Sequence, residues 1–440
     1  MTPTSSARLS PAELASGRRR ARRALVTGVA LGSTGHIAAV TVATIVAKDL
    51  LGSQALAGAP GATVVLGAAL GAVLLSSLMA RRGRRIGLTL GYAVGVVGAL
   101  VSTTAVVTRS FPLLLVGTTL IGFGNSSNQL SRYAASDMVP SAKRASAIGL
   151  VVWAATIGSV VGPWLVPVAG DLAMRVGLPM LAGPYLVPVL FVGAAALCSF
   201  VFLRPDPYEL ADDDHLPDED AEVPESDPVT TILRRPGVSA AIVALVVSQF
   251  VMVLIMTMTP LHMTEHGHDL GAVGLVLSAH TLGMFALSPL SGWLTERFGA
   301  VPIIFLGFAV LALSAVMAAA APADGGVVLV LALFLLGLGW NFGFVAGSSM
   351  LSEHLELHER TRVQGVADAL IWSTAAAASL GSGLLMAAAG YTALGILGAG
   401  AVVIPVVVLR RHRRAEREAE HRHVDPAEAA LEGPGGTSAT

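Results

Sequence analysis

The chain has 440 residues, of which 54% are hydrophobic and only 13% charged, with a mean hydropathy of +0.71. A soluble domain carries about a quarter charged residues, so this composition excludes an ordinary soluble protein and predicts a membrane protein. The net charge of -1 gives no sign of nucleic-acid binding, and a single cysteine, Cys198, excludes an internal disulfide.

The N-terminal stretch SGRRRARRALVTGVALG places basic residues before an apolar run. Twin-arginine export signals share this order, but multi-spanning proteins also begin in this way, and no convincing small-residue cleavage site precedes the next span. We therefore predict a basic cytoplasmic segment over residues 1–23 and a first membrane helix that begins at Ala24.

Apolar windows bounded by charge, glycine or proline predict twelve membrane spans in two sets of six. Because backbone groups in lipid are satisfied only in helices or closed barrels, and these runs lack period-two alternation, we expect an all-α membrane protein. The first six-helix bundle is predicted over residues 24–203 and the second over residues 237–410. The spans lie near 24–48, 52–80, 86–107, 112–132, 145–169, 182–203, 237–262, 270–295, 300–320, 325–352, 365–388 and 391–410.

Two further segments differ from the spans in composition. Residues 204–236 are rich in acids and proline, which predicts a disordered cytoplasmic linker, with a regulatory arm as the alternative reading. Residues 411–440 are predicted to form a cytoplasmic tail, and the basic run RRHRRAER from Arg410 is expected to lie against anionic lipid head groups.

The distribution of basic residues predicts the orientation, since short cytoplasmic loops concentrate lysine and arginine. With the N-terminus inside, all but three of the 28 basic residues fall on the inner side, the exceptions being Lys48, Arg109 and Arg175. We therefore predict a multi-pass protein of the bacterial inner (plasma) membrane with both termini in the cytoplasm.

An internal repeat relates the two sets of spans. A shift of 216 residues carries Asp137 to Glu353, Arg144 to Arg360 and Gly149 to Gly365. The same shift carries Arg81 to Arg297 and Gly83 to Gly299. Six spans followed by six of the same polarity are parallel repeats, and such an arrangement places a cavity between the halves near the bilayer midplane.

The repeated loops resemble a motif of the major facilitator superfamily, G-x-L-a-D-r-x-G-r-k between the second and third helices. The first copy, SSLMARRGRR, keeps Arg81, Gly83, Arg84 and Arg85 but has Ala80 at the acidic position. The second copy, GWLTERFGAV, keeps Glu296, Arg297 and Gly299.

This resemblance covers residues 24–410 and implies a cytoplasmic gate closed by charge pairing. The implied gate residues are Arg81, Gly83, Arg84, Arg85, Asp137, Arg144, Glu296, Arg297, Gly299, Glu353 and Arg360. Because residue 80 is not acidic, the charge pairing of the first motif copy is in question. The charge pairing of the second copy is expected to be intact.

The fifth span contains GSVVGPWLVP, similar to the start of the family's exporter pattern through Gly158, Gly162 and Pro163. Close helix packing by small residues is the alternative explanation. Thr119 stands where antiporters of the family often have an arginine, which argues against a standard proton-antiport mechanism.

Polar residues inside apolar spans usually face the bundle interior because they are costly in lipid. Those expected to line the cavity or carry protons are His36, Asn125, Asn128, Gln129, Gln249, His280, Trp340, Asn341 and Asp368. For the histidines and amides the alternative role is hydrogen bonding between helices. For Asp368 the alternative is a structural ion pair with the neighbouring Arg360 or Arg362.

The outer loop HMTEHGHD groups histidines and acids, but its spacing matches no established metal motif, so no metal is expected. The sequence shows no phosphate-binding glycine loop, nucleophile elbow or paired metal ligands, so neither an enzyme nor a cofactor is predicted.

We predict a secondary active transporter for a small drug-like or metabolic compound, driven most simply by protons through alternating access. Efflux is favoured by the fifth-span pattern, with proton-coupled import as one alternative and a non-transporting receptor or scaffold as another. The expected partners are the small organic substrate, protons and the lipid bilayer, with no nucleic acid, and the protein is expected to be a monomer.

Overall fold

The computed structural model describes residues 10–51, 58–211, 227–267, 270–321 and 326–411. These residues are almost entirely helical, and they contain no strand. The first half comprises α1 (Pro11–Leu51), α2 (Ala59–Arg82), α3 (Arg84–Val107), α4 (Phe111–Asp137), α5 (Arg144–Arg175) and α6 (Gly183–Phe202). The second half comprises α7 (Val229–Ile232), α8 (Pro236–Met256), α9 (Thr259–Glu265), α10 (Leu270–Phe285), α11 (Ser288–Phe298), α12 (Ala300–Ala319), α13 (Gly326–Glu353) and α14 (Leu357–Ala401).

Ten helical segments of the described residues are long and apolar enough to cross a membrane. Two differences explain why twelve spans are predicted from the sequence and ten segments meet this criterion in the structure. Helix α4 falls short in mean hydropathy because amides, hydroxyls and Arg132 occupy its second half, and the last two spans are joined as one long helical segment ending at Arg411.

Gly390 divides that long segment into two spans. Its backbone (φ 76°, ψ 176°) is not helical. Beyond it, Gly395 packs on Ala315 and Ala319 of α12, and Gly398 packs on Val251 and Ile255 of α8, so the chain runs back along these helices. The eleventh and twelfth predicted spans therefore lie on either side of Gly390.

The internal repeat is visible in the backbone. Gly83 between α2 and α3 has φ 87° and ψ 163°, and Gly299 between α11 and α12 has φ 85° and ψ 159°. A side chain at this positive φ is strained, so glycine is required at both turns. The shift of 216 residues found in the sequence thus relates two identical turns.

The two halves meet at one end of the bundle, which we call the basic face because Arg84, Arg144 and Arg360 lie there. Helix α2 packs on α14 and α5 packs on α11. A Cβ atom on Gly365 would lie 1.8 Å from the Ser76 hydroxyl, and one on Gly149 would lie 2.4 Å from the carbonyl oxygen of Ser288. Only glycine permits this separation, so both interfaces close the basic face through equivalent residues.

Both ends of the predicted linker, residues 204–211 and 227–236, are among the described residues. Helix α1 begins at Pro11, before the predicted membrane entry, and Arg18 donates hydrogen bonds to the carbonyl oxygens of Leu210 and Ala211. Asp206 accepts hydrogen bonds from the first backbone N–H groups of α3. The acidic core of the linker, residues 212–226, lies outside the described residues.

We predict that Gly365→Ala lowers the free energy of unfolding by about 1–3 kcal/mol, because the methyl group forces α2 away from α14. Thermal unfolding of the purified protein in detergent measures the change. The control is Gly381→Ala on the same helix, where a Cβ atom meets nothing within 4 Å and the higher helix propensity of alanine is expected to stabilise. A loss of stability in both variants would show that the α2–α14 contact is not the cause.

Candidate functional site

A cavity of about 290 Å³ lies between the two halves. Its walls come from α1, α4 and α5 on one side and from α8, α10, α13 and α14 on the other. The lining is mostly apolar with a few polar groups, which is the usual composition of a small-molecule site.

Most of the polar residues singled out in the sequence line this cavity. The three amides of α4 do so together because their spacing of three or four residues places them on one helical face. The predicted residues that line the cavity are His36, Asn125, Asn128, Gln129, Gln249, Trp340 and Asp368.

His280 and Asn341 lie away from the cavity, contrary to the sequence-based expectation. His280 is 1% exposed, and its Nδ1 lies 2.9 Å from the carbonyl oxygen of Leu333 on α13. It therefore serves as a hydrogen-bonding group between helices, which was its alternative role.

Asn341 supports the break between α10 and α11. Pro289 has no backbone N–H to offer the carbonyl oxygen of Phe285, four residues earlier, and α10 ends at Phe285, so the carbonyl oxygen of Met284 lies in the last turn of α10 and accepts a hydrogen bond from another helix. The Asn341 side-chain amide donates to that oxygen and to the Ser288 hydroxyl, both at 2.6 Å, and it accepts a hydrogen bond from Ser291. Its amide is fully used within the second half.

The floor of the cavity is a buried ion pair between the halves. The Arg132 guanidinium of α4 lies 2.5 Å from the Asp368 carboxylate of α14, and each side chain is 2% exposed. Arg132 also donates a hydrogen bond of 3.2 Å to the Ser348 hydroxyl. Ser348 is the residue that the internal repeat, with its shift of 216, makes equivalent to Arg132. The sequence pattern did not single out Arg132, which lies at the end of a predicted span, and the ion-pair alternative for Asp368 named Arg360 or Arg362 as its partner.

Planar groups form a continuous stack beside this pair. The rings of Trp340 and Phe344 are stacked at 4.5 Å, and the Arg132 guanidinium lies 4.3 Å from the Phe344 ring and 4.2 Å from the Tyr133 ring. Gln249 accepts a hydrogen bond of 2.8 Å from the Trp340 indole and so fixes that ring. The wall is flat, rigid and partly polar.

The opposite wall carries the amides and His36. Tyr92 donates a hydrogen bond to Asn128, and Asn128 donates one to Asn125, both at 2.9 Å. Nδ1 of His36 has no hydrogen-bond partner among the described residues. His36 thus presents an unused polar atom next to an ordered amide pair.

A second ionic layer lies nearer the basic face. Arg84 donates to the Asp137 carboxylate at 2.7 Å and to the Gln364 side chain of the other half at 2.8 Å. Arg360 lies 3.7 Å from the second oxygen of Asp137, and Arg144 is buried nearby. Of the predicted gate residues, these four charged groups come together, whereas Arg81, Arg85, Arg297 and Glu353 lie outside the layer.

The two motif copies use different contacts. Glu296 accepts a hydrogen bond of 3.1 Å from the backbone N–H of Ser146 at the start of α5, where a negative charge is favoured. Ala80 offers no such acceptor to α14, which instead begins with its own capping box of Glu356 and Glu359. The first copy compensates through Arg84, whose counterpart in the second copy is Ala300.

The fifth-helix glycines pack against α1. A Cβ atom on Gly158 would lie 2.5 Å from the Ser33 side chain, and one on Gly162 would lie 3.0 Å from the carbonyl oxygen of Thr34. Pro163 follows within the same helix. Close helix approach accounts for this pattern in the structure.

The histidines of the HMTEHGHD segment do not assemble a metal site in the part of the chain that the structure describes. The rings of His262 and His266 are 4.3 Å apart, and His262 stacks on Tyr391 at 4.2 Å. His268 and Asp269 lie outside the described residues.

Comparisons with known proteins agree with this architecture. The sequence pattern of the Major Facilitator Superfamily matches residues 24–273 and 241–434. The chain is 37% identical over 385 residues to the "Uncharacterized MFS-type transporter YdeG" of Bacillus subtilis (strain 168), covering 87% of this chain and 90% of that protein. It is 31% identical over 398 residues to the "Riboflavin transporter RfnT" of Brucella anthropi, covering 88% and 92%.

Solved structures show the same fold. A bacterial homologue of the iron transporter ferroportin, in an outward-facing state, superposes with a TM-score of 0.71 over 90% of this chain and 99% of that one, at 16% identity. The human organic anion transporter MFSD10 superposes with a TM-score of 0.69 over 89% and 99%, also at 16% identity.

The chain belongs to the Major Facilitator Superfamily. It is a multi-pass membrane transporter of two six-helix repeats, as the sequence predicted, and proteins of this family bind small molecules within the membrane.

We predict that Arg132→Met lowers the free energy of unfolding by about 3–5 kcal/mol, because it leaves the Asp368 carboxylate buried without a partner. The double variant Arg132→Met/Asp368→Leu is expected to recover most of this loss. Thermal unfolding in detergent measures both.

The matched control is Arg109→Met, which removes an exposed pair with Asp49 and is expected to change stability by less than about 1 kcal/mol. Equal losses in the single and double variants at Arg132 would show that the two buried charges are not coupled.

Proposed function

We propose that the protein is a proton-coupled carrier that moves a small, flat organic molecule across the membrane by alternating access. The observation that carries this proposal is the Arg132–Asp368 ion pair, which joins the halves at the floor of a cavity with a planar wall.

The planar wall supports a flat substrate. A heteroaromatic ring can stack on Trp340, and offset stacking contributes about 0.5–1.5 kcal/mol beyond the area buried. The amide side chains of Asn125, Gln129 and Gln249 can bond ring carbonyl and imide groups without a cost of burying charge. The relative named as a riboflavin transporter makes a flavin-like ring system the first compound to test.

The ion pair supports coupling to protons. A proton on Asp368 removes the charge that holds Arg132, so the contact between the halves weakens when the carboxylate is neutral. Substrate that bonds to Arg132 competes for the same group. Proton binding and substrate binding at this ion pair therefore both weaken the contact between the halves. A coupled carrier requires two ligands that act on the same conformational change.

The layer around Asp137 supports a gate at the basic face. Rocking of the halves separates α2 from α14 and α5 from α11, and it exposes Arg84, Asp137 and Arg360 to water. Water then solvates these ions, so the open state keeps its charges satisfied. Closure restores the pairs between the halves.

The concentration of arginine at the basic face supports a cytoplasmic location for that face and for both termini, in a bacterial inner membrane. Both halves of the cavity come from one chain, so a monomer suffices for transport. Proton-driven efflux remains the proposed direction from the sequence, although close packing also explains the fifth-helix glycines that suggested it.

We predict substrate-dependent proton flux in proteoliposomes, screened over a compound library that includes riboflavin. Asp368→Asn is expected to abolish the flux while substrate exchange down its gradient continues, because the neutral side chain mimics the protonated state.

His36→Ala is expected to reduce the proton flux, and an unchanged flux would remove His36 from the coupling mechanism. Opposite pH gradients distinguish efflux from import, and exchange with no proton movement in wild type would contradict proton coupling.

We predict that Trp340→Ala weakens binding of a flat probe such as riboflavin about tenfold, through lost stacking and lost buried area. Fluorescence quenching of the probe by purified protein in detergent measures the affinity. The control is Trp164→Ala, since Trp164 is 70% exposed on the outside of α5 and is expected to leave the affinity unchanged. Equal affinities for all three proteins would place the probe away from the planar wall.

A further inference from the structure

A second pocket, of about 470 Å³, lies at the basic face, between the α2–α3 turn and the segment that follows α6. Four arginines line it, and their guanidinium groups form no ion pair or hydrogen bond with other residues that the structure describes. They are Arg81, Arg82, Arg85 and Arg204. The pocket therefore holds several cations with unused donors.

The acids of this pocket leave that charge in excess. Both carboxylate oxygens of Asp206 accept backbone hydrogen bonds, from Arg84 at 3.1 Å, from Arg85 at 2.9 Å and from Tyr208 at 2.9 Å. Its charge is thus directed at the start of α3, where the helix dipole favours an anion. Among the described residues that line the pocket, Glu209 is the one other acid that offsets the four guanidinium groups.

The pocket opens onto the apolar outside of the bundle. The guanidinium groups of Arg85 and Arg204 lie 5.8 Å and 5.1 Å from the centre of the Phe200 ring, which is 49% exposed. Next to this ring, α3 and α6 expose large apolar side chains, among them Ile86, Leu90, Leu197 and Val201. The positive charge of the pocket therefore lies beside an exposed apolar surface of α3 and α6.

The internal repeat shows that the fold does not require this charge. The second copy forms the same glycine turn with Phe298 in place of Arg82 and Val301 in place of Arg85. Only Arg297 matches, as the counterpart of Arg81. The glycine turn therefore does not account for the arginines of the first copy.

We propose that this pocket binds the head group of an anionic phospholipid, whose phosphate lies on the arginines and whose acyl chains follow α3 and α6. Guanidinium groups match the geometry of phosphate oxygens, and basic pockets at the ends of membrane helices suit anionic head groups. A soluble anion gains nothing from the apolar edge beside Phe200, so the surface favours a lipid over free phosphate.

Native mass spectrometry of the purified full chain in detergent tests the proposal, with phosphatidylglycerol as the probe and phosphatidylcholine as the neutral comparison. Phosphatidylglycerol is expected to bind at least tenfold more tightly. The variant Arg81→Gln/Arg82→Gln/Arg204→Gln is expected to lose this preference, since each basic group near an anionic surface accounts for about a fivefold change in affinity. Arg297→Gln, at the matched position of the second copy, is expected to keep it.

Two further arms identify a different occupant. Inorganic phosphate that displaces phosphatidylglycerol at comparable concentration would overturn the proposal in favour of a soluble anion. A protein that binds the lipid only after the acids of residues 212–222 are replaced by amides would overturn it in favour of the chain's own linker. A triple variant that loses the preference while keeping its monodispersity and its melting temperature in detergent supports the lipid site, because folding is then intact.

Discussion

Charge buried between two apolar bundles is the interaction on which this structure depends. Removing an ion from water costs several kcal/mol, so a pair such as Arg132 and Asp368 contributes little stability compared with well-packed leucines. Each ion nevertheless needs its partner, because a single buried charge without a partner would destabilise the structure much more than the pair does. The two halves are therefore held in register by contacts that water can replace when they separate.

Small residues make those contacts possible. Gly149 and Gly365 let backbones approach until the buried ions meet, and larger side chains at these positions would hold the halves apart. The ionic layers and the glycine interfaces lie at the same end of the bundle. The cavity is thus closed at the basic face by packing and by charge together, which is the arrangement that an alternating-access carrier needs in one of its states.

The sequence predicted the spans, the two repeats and most residues of the cavity, because hydropathy and repeat spacing are properties of the chain itself. It did not predict the partner of Asp368, since Arg132 lies in the other half, 236 positions away. It misplaced His280 and Asn341, because a polar residue in a span can face a neighbouring helix as well as a cavity. Asn341 bonds the carbonyl oxygen of Met284 at the break between α10 and α11, a contact between helices that position along the chain does not reveal.

The hydrogen bond between Arg132 and Ser348 has an evolutionary consequence. Residues that the repeat makes equivalent can touch only on the axis that relates the halves, and there each side chain meets its own duplicate. An exact duplication would set two guanidinium groups against each other in a dry environment. Positions on the axis are therefore where the two copies are under the strongest pressure to diverge. One copy retains the cation, Arg132, and the other has the neutral Ser348, so that a single functional centre can form.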